Sequence, residues 1–395
     1  MLTNEIKALA DSWETMAIDI RRMLHRIPET QFNEFKTSGY ICSVLDTLGI
    51  PYKKGYGRGT GIVAEIYGTG EGCGKCVALR ADIDALPIKE ETNLPFASEH
   101  EGFMHACGHD AHMAIALYTA FILNELKASF KGLVKILFQP AEEGDGGAEI
   151  MIEEGVLEDP KVDVCIGGHV MSEYETGTIV YKKGSLMSSP DNFEVVIKGT
   201  GGHGAYPERC VNPIAVAADV VKKLTALTDA NVPRVVSVCT IEGGTCPNVI
   251  PSDVKITGTA RTFTRQSREE VTRLIEERVR EVCDEYLCGY DYEYIPLFPA
   301  LINDDAVTDA FRDSAVKIVG EDKVIPTHQV SMAGDDFSYF AAAVPSTYVH
   351  IGCRSAESEE IYPIHNPLFT VDESCLKIAA MCYSQFIVDY LAGEW

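Results

Sequence analysis

Positive charge is scarce in this chain. Lys and Arg total 34 against 59 Asp and Glu, a formal net charge of −25 over 395 residues. That balance argues against nucleic acid or an anionic membrane as a partner, because a phosphate surface has to be met by cations. No apolar run approaches the roughly 20 residues needed to span a bilayer. No secretory signal is expected, because Asp, Glu and Lys interrupt each apolar stretch near the N-terminus. The 13 cysteines are odd in number and have no framework spacing, so free thiols in a reducing cytoplasm are expected rather than a disulfide scaffold. Cys73-Gly-Lys-Cys76 is a CxxC without a second CxxC or a paired histidine, which leaves it without a zinc or redox partner. Internal repeats and low-complexity segments are absent. The composition, 46% hydrophobic and 24% charged, is that of a globular chain, and its length suggests two domains or more.

Metal-binding side chains, by contrast, are concentrated. The octet HACGHDAH offers His105, Cys107, His109, Asp110 and His112. AEEG follows at Ala141–Gly144, then His169 in GGHV and His365 in PIHNP. Thiolate, imidazole and carboxylate are the donors that hold zinc-like ions. The adjacent pair Glu142–Glu143 supplies one carboxylate for a metal and one to take a proton from water. Any one of these residues alone reads as a core histidine, a buried thiol or a surface acid. Together, each beside Gly, Ala or Pro in a short connection, they read as one metal-dependent hydrolytic site.

Periodicity places these motifs on elements. Helices are predicted over 3–26, 36–48 and 111–126, the second stopped by Gly49. Strands are predicted over 61–67 and 75–80, joined by the turn at 68–74, and over 132–139 and 162–167. The last three strands deliver Asp82 and Asp84, Glu142 and Glu143, and His169 at their ends, where open α/β sheets place sites. Alternating helices and buried strands argue a layered α/β domain. From about Ser188 the order changes to strand 192–198, helix 212–227, strands 235–242 and 253–263, helix 268–287 and strand 291–297. That is the split βαβ, ferredoxin-like unit. The predicted metal donors lie on both sides of it. The expected organisation is therefore an α/β domain of residues 1–187 and 299–395 with an inserted domain at 188–298, closed by helices at 304–319 and 372–391.

Gly199-Thr-Gly201-Gly-His-Gly204 matches GxGxxG and follows a strand. A dinucleotide loop needs its third Gly to open a helix at once. Here Tyr206 and Pro207 intervene, and Asp219 falls inside the following helix, so no nicotinamide cofactor is expected.

RADIDALP (Arg80–Pro87), HACGHDAH, QPAEEG (Gln139–Gly144), GGHV, GTGGHGAYP (Gly199–Pro207), PNVIP (Pro247–Pro251), GTARTF (Gly258–Phe263) and HNP (His365–Pro367) together resemble the M20 metallopeptidases. The likeness runs in order through most of the chain. It is closest to the amidohydrolase branch that includes hippurate hydrolase, indole-acetyl-amino-acid hydrolases and N-acetyl-diaminopimelate deacetylase. The resemblance implies a zinc-peptidase-like α/β catalytic domain with an inserted ferredoxin-like lid. It implies metal ligands Cys107, His109, Glu143, His169 and His365 for two divalent ions, zinc or manganese and possibly cobalt. Glu142 would be the general base and Asp84 a carboxylate orienting a histidine ligand. Other branches carry His where this chain has Asp82 and a bridging Asp within the octet, so Asp82 is not assigned as a ligand and Cys107 takes the bridging place. Relatives often carry Glu where SMAGDDF has Asp335, whose expected part is to cap a helix at 336–343.

The implied reaction is hydrolysis of N-acyl or N-aroyl amino acids to an acid and an amino acid. A dipeptidase or exopeptidase of the same chemistry is the alternative, and a non-catalytic binding protein on the same scaffold a third. The resemblance further implies His203 as an oxyanion donor acting across a homodimer formed through the lid. Asn248 and Arg261 would bind the substrate's carboxylate end. The partner is thus a small molecule or short peptide. Thr259, Arg261 and Phe263 are expected on one face of their strand.

Overall fold

A computed structural model of the chain describes residues 2–144, 146–229, 233–358 and 360–393. The chain forms two units. The first comprises Met1–Gly184, Ile302–His328 and Tyr339–Trp395, the second Ser185–Leu301 and Gln329–Ser338. The second contains the interval 188–298 and also the SMAGDDF segment.

The first unit is built on an eight-stranded mixed sheet. Its spatial order is Tyr52–Tyr56, Gly61–Thr69, Lys131–Gln139, Cys76–Asp82, Val164–Glu175, Ser346–Arg354, Ile179–Tyr181 and Val324–Pro326. The strands at 61–69 and 76–82 are consecutive in sequence, yet Lys131–Gln139 lies between them, parallel to the second and antiparallel to the first. Residues 68–74 are therefore not a hairpin turn. Cys76–Asp82 is buried at every position, as a strand covered on both faces must be. Tyr52–Tyr56, sequence YKKGY, was not predicted: its Lys and Gly mask the pattern, and it survives as an edge strand with three exposed residues.

Helix Leu2–Arg26 buries Ile6, Ala10, Ala17, Ile20 and Leu24, an amphipathic stripe at helical spacing. Helix His109–Glu125 is apolar nearly all round and sits inside the core. So does Ser374–Ala392, 19 residues long and the one helix among the described residues apolar enough by length and composition to cross a membrane. Lys377 and Asp389 interrupt it, so it is no uninterrupted apolar run. It is a core helix, 83% buried, packed with Leu2–Arg26, His109–Glu125 and Asp305–Val319.

The second unit carries a four-stranded antiparallel sheet in the order Val235–Glu242, Asp253–Thr262, Ser189–Lys198, Gly289–Pro296. Helices Pro213–Thr225 and Arg265–Glu285 cover one face and bury Val216, Val220, Val271, Ile275 and Val279 against it. This is the split βαβ topology. Strand Asp253–Thr262 alternates strictly, with Thr259 and Arg261 on the open face and Ala260 and Thr262 buried. Phe263 departs from the expected face: the strand ends at Thr262, and Phe263 is buried. Asp335 Oδ1 accepts from Phe337 N (2.8 Å) at the start of helix Phe337–Ala343. The GxGxxG stretch opens no helix. Gly202–His203 pairs with Val249–Ile250, and Asp219 lies mid-helix with its carboxylate accepting from the Tyr286 hydroxyl (2.7 Å).

Candidate metal centre

Three parallel strands set the position of the site. Asp82 is paired with Gln139, and three residues beyond the paired Leu79 and Ile166 come Asp82 and His169. The chain leaves the sheet after Asp82 and Gln139, carrying Asp84 and the Glu142–Glu143 turn out along one edge. His169 differs from expectation. Its strand does not end there but runs on to Glu175, so a rigid mid-strand position holds the imidazole.

Cys107 and His109 flank Gly108, which precedes helix His109–Glu125 in a left-handed conformation, φ 87°. A Cβ there would lie 2.4 Å from Val170 Cγ2, so only glycine lets the helix start close against the His169 strand. Ala141 (φ 55°) and His365 (φ 66°) are non-glycine residues in the same strained region, one in each loop that brings a donor.

These elements bring the five predicted ligands and the predicted base Glu142 together. Cys107 Sγ is 3.2 Å from His169 Nε2 and 3.2 Å from His365 Nε2. His365 Nε2 is 3.1 Å from Glu143 Oε1, and His109 Nε2 is 4.0 Å from Glu142 Oε2. Cys107 groups with His109 and His169, and again with Glu143 and His365, each set with ligand atoms within 4.8 Å of one another.

The partners behind the rings determine which way their lone pairs point. His169 Nδ1 donates to the Val170 carbonyl (2.7 Å). His109 Nδ1 donates to the Asp84 carbonyl (2.9 Å), with Asp84 Oδ1 at 3.2 Å. In the neutral rings both Nε2 lone pairs therefore aim into the cluster. Among the described residues His109 Nε2 is buried there without a hydrogen-bond partner. Asp84 also accepts from Glu143 N through Oδ2 (3.0 Å), so one carboxylate orients a histidine and the acidic turn together.

The electrostatics of the cluster suit a divalent cation. Burial, then the charges of Glu143 and Glu142, push the Cys107 thiol well above its usual range. Burial, then His112 and His109, hold His169 well below the imidazole range, so it stays neutral. Burial opposes a charge on His109, but Asp82 and Asp84 outweigh it and raise that imidazole to about 10. A cation at this point would take the place of those protons, since thiolate and neutral imidazole are the binding forms. Soft sulfur, imidazole and carboxylate with converging lone pairs fit zinc-like divalent ions.

The rest of the octet faces elsewhere. Asp110 accepts from His25 Nδ1 (2.8 Å) and pairs with Arg21 (2.7 Å). His105 is buried with neither ring nitrogen hydrogen-bonded among the described residues, and burial drives it down to about 3. His112 was assigned no part. It stands behind His109 and His169, its ring 5.4 Å and 4.7 Å from theirs, with Nδ1 on Asp82 Oδ1 (2.6 Å). Asp82 Oδ2 is paired with Arg80 (2.5 Å), so both its oxygens are engaged away from the cluster.

His203, Asn248 and Arg261 belong to the second unit. His203 is exposed, its Nδ1 accepts from Ala205 N (3.0 Å), and its ring lies 5.7 Å from that of Tyr206. That bond leaves Nε2 as the His203 donor. Asn248 Oδ1 accepts from the Cys246 thiol (2.9 Å). Arg261 donates to Thr259 Oγ1 (2.6 Å), and no carboxylate pairs with it among the described residues.

A cluster of this composition, gathered from a strand, a helix start and two loops at one edge of an α/β sheet, with Glu142 beside it, defines a metal-dependent hydrolase. The chain belongs to peptidase family M20/M25/M40, whose family model matches residues 78–389. It is 35% identical to thermostable carboxypeptidase 1 of Saccharolobus solfataricus, over 98% of both chains. It is 37% identical to N-acetylcysteine deacetylase of Bacillus subtilis, over 95% of this chain and 97% of the relative. A Bacillus subtilis structure described as a dinuclear metal binding peptidase from the M20 family superposes with a TM-score of 0.84 at 35% identity, covering 96% of this chain and 99% of that one. The protein is accordingly a hydrolase acting on amide bonds.

Proposed function

We propose that the protein is a metal-dependent amidohydrolase that releases a carboxylic acid and a free amino acid from N-acyl or N-aroyl amino acids. The observation that carries this is the convergence of donor atoms from Cys107, His109, Glu143, His169 and His365 beside Glu142. The relatives support it chemically. A deacetylase of N-acetylcysteine and a carboxypeptidase both cleave an amide whose nitrogen belongs to a residue with a free carboxylate. The carboxypeptidase likeness also keeps a second reading open, cleavage of dipeptides or of peptide C-termini.

In this reading Cys107, His109, Glu143, His169 and His365 hold two divalent ions, a number supported by the dinuclear neighbour. Zinc suits the thiolate, with manganese or cobalt as the alternatives. When bound, the ions supply Lewis acidity, lowering the pKa of water and polarising the amide carbonyl. Glu142 accepts the proton from the attacking water and returns it to the leaving nitrogen. His203 donates through Nε2 to the developing oxyanion, acting in a homodimer formed through the second unit. Asn248 and Arg261 bind the substrate carboxylate. Thirteen free cysteines support a reducing, cytoplasmic location.

A panel of acetyl-, benzoyl- and aminoacyl-amino acids, assayed with zinc, manganese and cobalt in turn, tests the proposal. Acyl substrates should turn over fastest. Turnover of aminoacyl substrates alone would establish the peptidase reading instead.

A further inference from the structure

The turn that bears Glu142 and Glu143 is gripped from behind by a segment more than a hundred residues earlier, outside the residues that the family model matches. Glu34 is completely buried. Its Oε1 accepts from Ala141 N (3.0 Å) and from Phe32 N (3.0 Å), and its Oε2 accepts from the Thr60 hydroxyl (2.7 Å). Phe32 (φ 58°) and Ala141 (φ 55°) are both non-glycine residues in the left-handed region. L side chains avoid that conformation unless something outside the residue holds it. Three residues away, Gln31 Nε2 donates to the Glu143 carbonyl (3.0 Å). Its amide lies so close to the turn that a Cβ on Gly144 would come within 2.0 Å of Nε2.

The backbone on either side of Glu142 is thereby fully committed. Ala141 N goes to Glu34, Ala141 O accepts from Gly147 N (3.2 Å), Glu143 N goes to Asp84 and Glu143 O accepts from Gln31. A buried carboxyl is costly unless its oxygens are used, and a role in packing alone would be met by an apolar side chain. Two of its three donors are the amides of strained residues, and the third is the Thr60 hydroxyl.

We infer that Glu34 and Gln31 are positioning residues that hold the Ala141–Glu143 turn so that the Glu142 carboxylate stays aimed at the reacting water. The inference rests on reading Glu142 as the base. It assigns a reason to the QFNE stretch that the metal ligands do not supply. A base must sit within hydrogen-bond reach of its proton, and a displacement of about 1 Å costs on the order of 100-fold.

The test uses the full-length, metal-loaded protein and four variants, Glu34→Ala, Glu34→Gln, Gln31→Ala and Gln31→Glu. Each is assayed for kcat and KM on an N-acetyl amino acid, for bound zinc, and for amide exchange of residues 139–147 by mass spectrometry. Glu34→Ala should lower kcat by about 10–100-fold with KM and zinc content little changed, and should speed exchange at Ala141. Glu34→Gln keeps an oxygen for that amide and should recover most of kcat. Gln31→Glu turns a donor into an acceptor facing a carbonyl, and should lose more than Gln31→Ala. Wild-type kcat and unaltered exchange in folded Glu34→Ala would overturn the inference. If Glu34→Ala does not fold, wild-type kcat in both Gln31 variants would do the same. Full activity in Glu142→Gln would instead remove the base assignment, while the exchange data still report whether the clamp exists.

Discussion

His112 is locked between Asp82 and the backbone of the neighbouring strand. Its Nδ1 donates to Asp82 Oδ1 at 2.6 Å, and its Nε2 accepts the Val170 N–H at 3.0 Å. With both nitrogens engaged it has no lone pair to offer a metal, although it sits three residues from the proposed ligand His109. It acts as a wedge that sets the spacing of His109 and His169. His112→Ala should leave Asp82 and the Val170 amide without their partner, lowering stability by on the order of 1–3 kcal/mol. It should also weaken metal binding about 10–100-fold, as loss of an orienting group does. Melting and chelator competition measure the two effects, and wild-type zinc affinity in the variant would show that the wedge is dispensable.

The adjacent glutamates should separate binding from proton transfer. Glu142→Gln is expected to keep its metal and lose about 10²–10⁴-fold in rate. Glu143→Gln is expected to lose metal, because Glu143 Oε1 is the buried oxygen beside His365 and Cys107. Metal analysis beside a rate assay reads both. A Glu142→Gln enzyme near wild-type rate would transfer the base role elsewhere.

His203 carries the prediction about assembly. If it acts across a dimer, mixing Glu142→Gln with His203→Ala subunits, each inactive alone, should restore activity, since one hybrid site then holds both intact residues. Proven subunit exchange without recovery would put His203 in its own subunit's site or outside catalysis.

Arg261 should mark substrates that carry a carboxylate. Burial lowers its pKa from the ordinary guanidinium value, yet it stays charged in a half-buried position without a carboxylate partner among the described residues. A bidentate fork is what a lysine cannot copy. Arg261→Lys should lower kcat/KM for N-acyl amino acids about 10–100-fold and have far less effect on the matching carboxamides. Equal cleavage of acid and carboxamide by the wild-type enzyme would make Arg261 structural.

The Glu34 carboxyl predicts a pH dependence of stability. Burial raises it from 4.5 to about 7. Between those values the folded protein holds a proton that the unfolded chain has lost. Its contribution is therefore fully present below 4.5 and is lost as pH rises through about 7. Glu34→Gln cannot titrate, so relative to it the wild type should lose roughly 3 kcal/mol across that window. Denaturant titrations of both proteins from pH 4 to pH 8 give the difference, and parallel curves would rule the titration out.

Much of the molecule is legible in its sequence. Helix and strand periods depend on neighbours in the chain, so Leu2–Arg26, Lys131–Gln139 and the four sheet strands and two covering helices of the second unit fall within a few residues of their predicted bounds. The donor types were legible as well, because the chemistry of thiolate, imidazole and carboxylate does not depend on the fold. The order of strands was not: nothing local says that Lys131–Gln139 slides between two strands that precede it. The sequence also could not say which members of HACGHDAH face the site. Successive residues at a helix start point in different directions, and the choice falls to packing. Gly108 tucks under Val170, which turns Cys107 and His109 inward, sends Asp110 to Arg21 and His25, and leaves His112 to Asp82. Glu34 and Gln31 show the same limit from the other side. Both are ordinary polar residues in a loop, and only the fold puts them on the backbone of a turn more than a hundred positions away, where a buried hydrogen bond has value that sequence spacing does not encode.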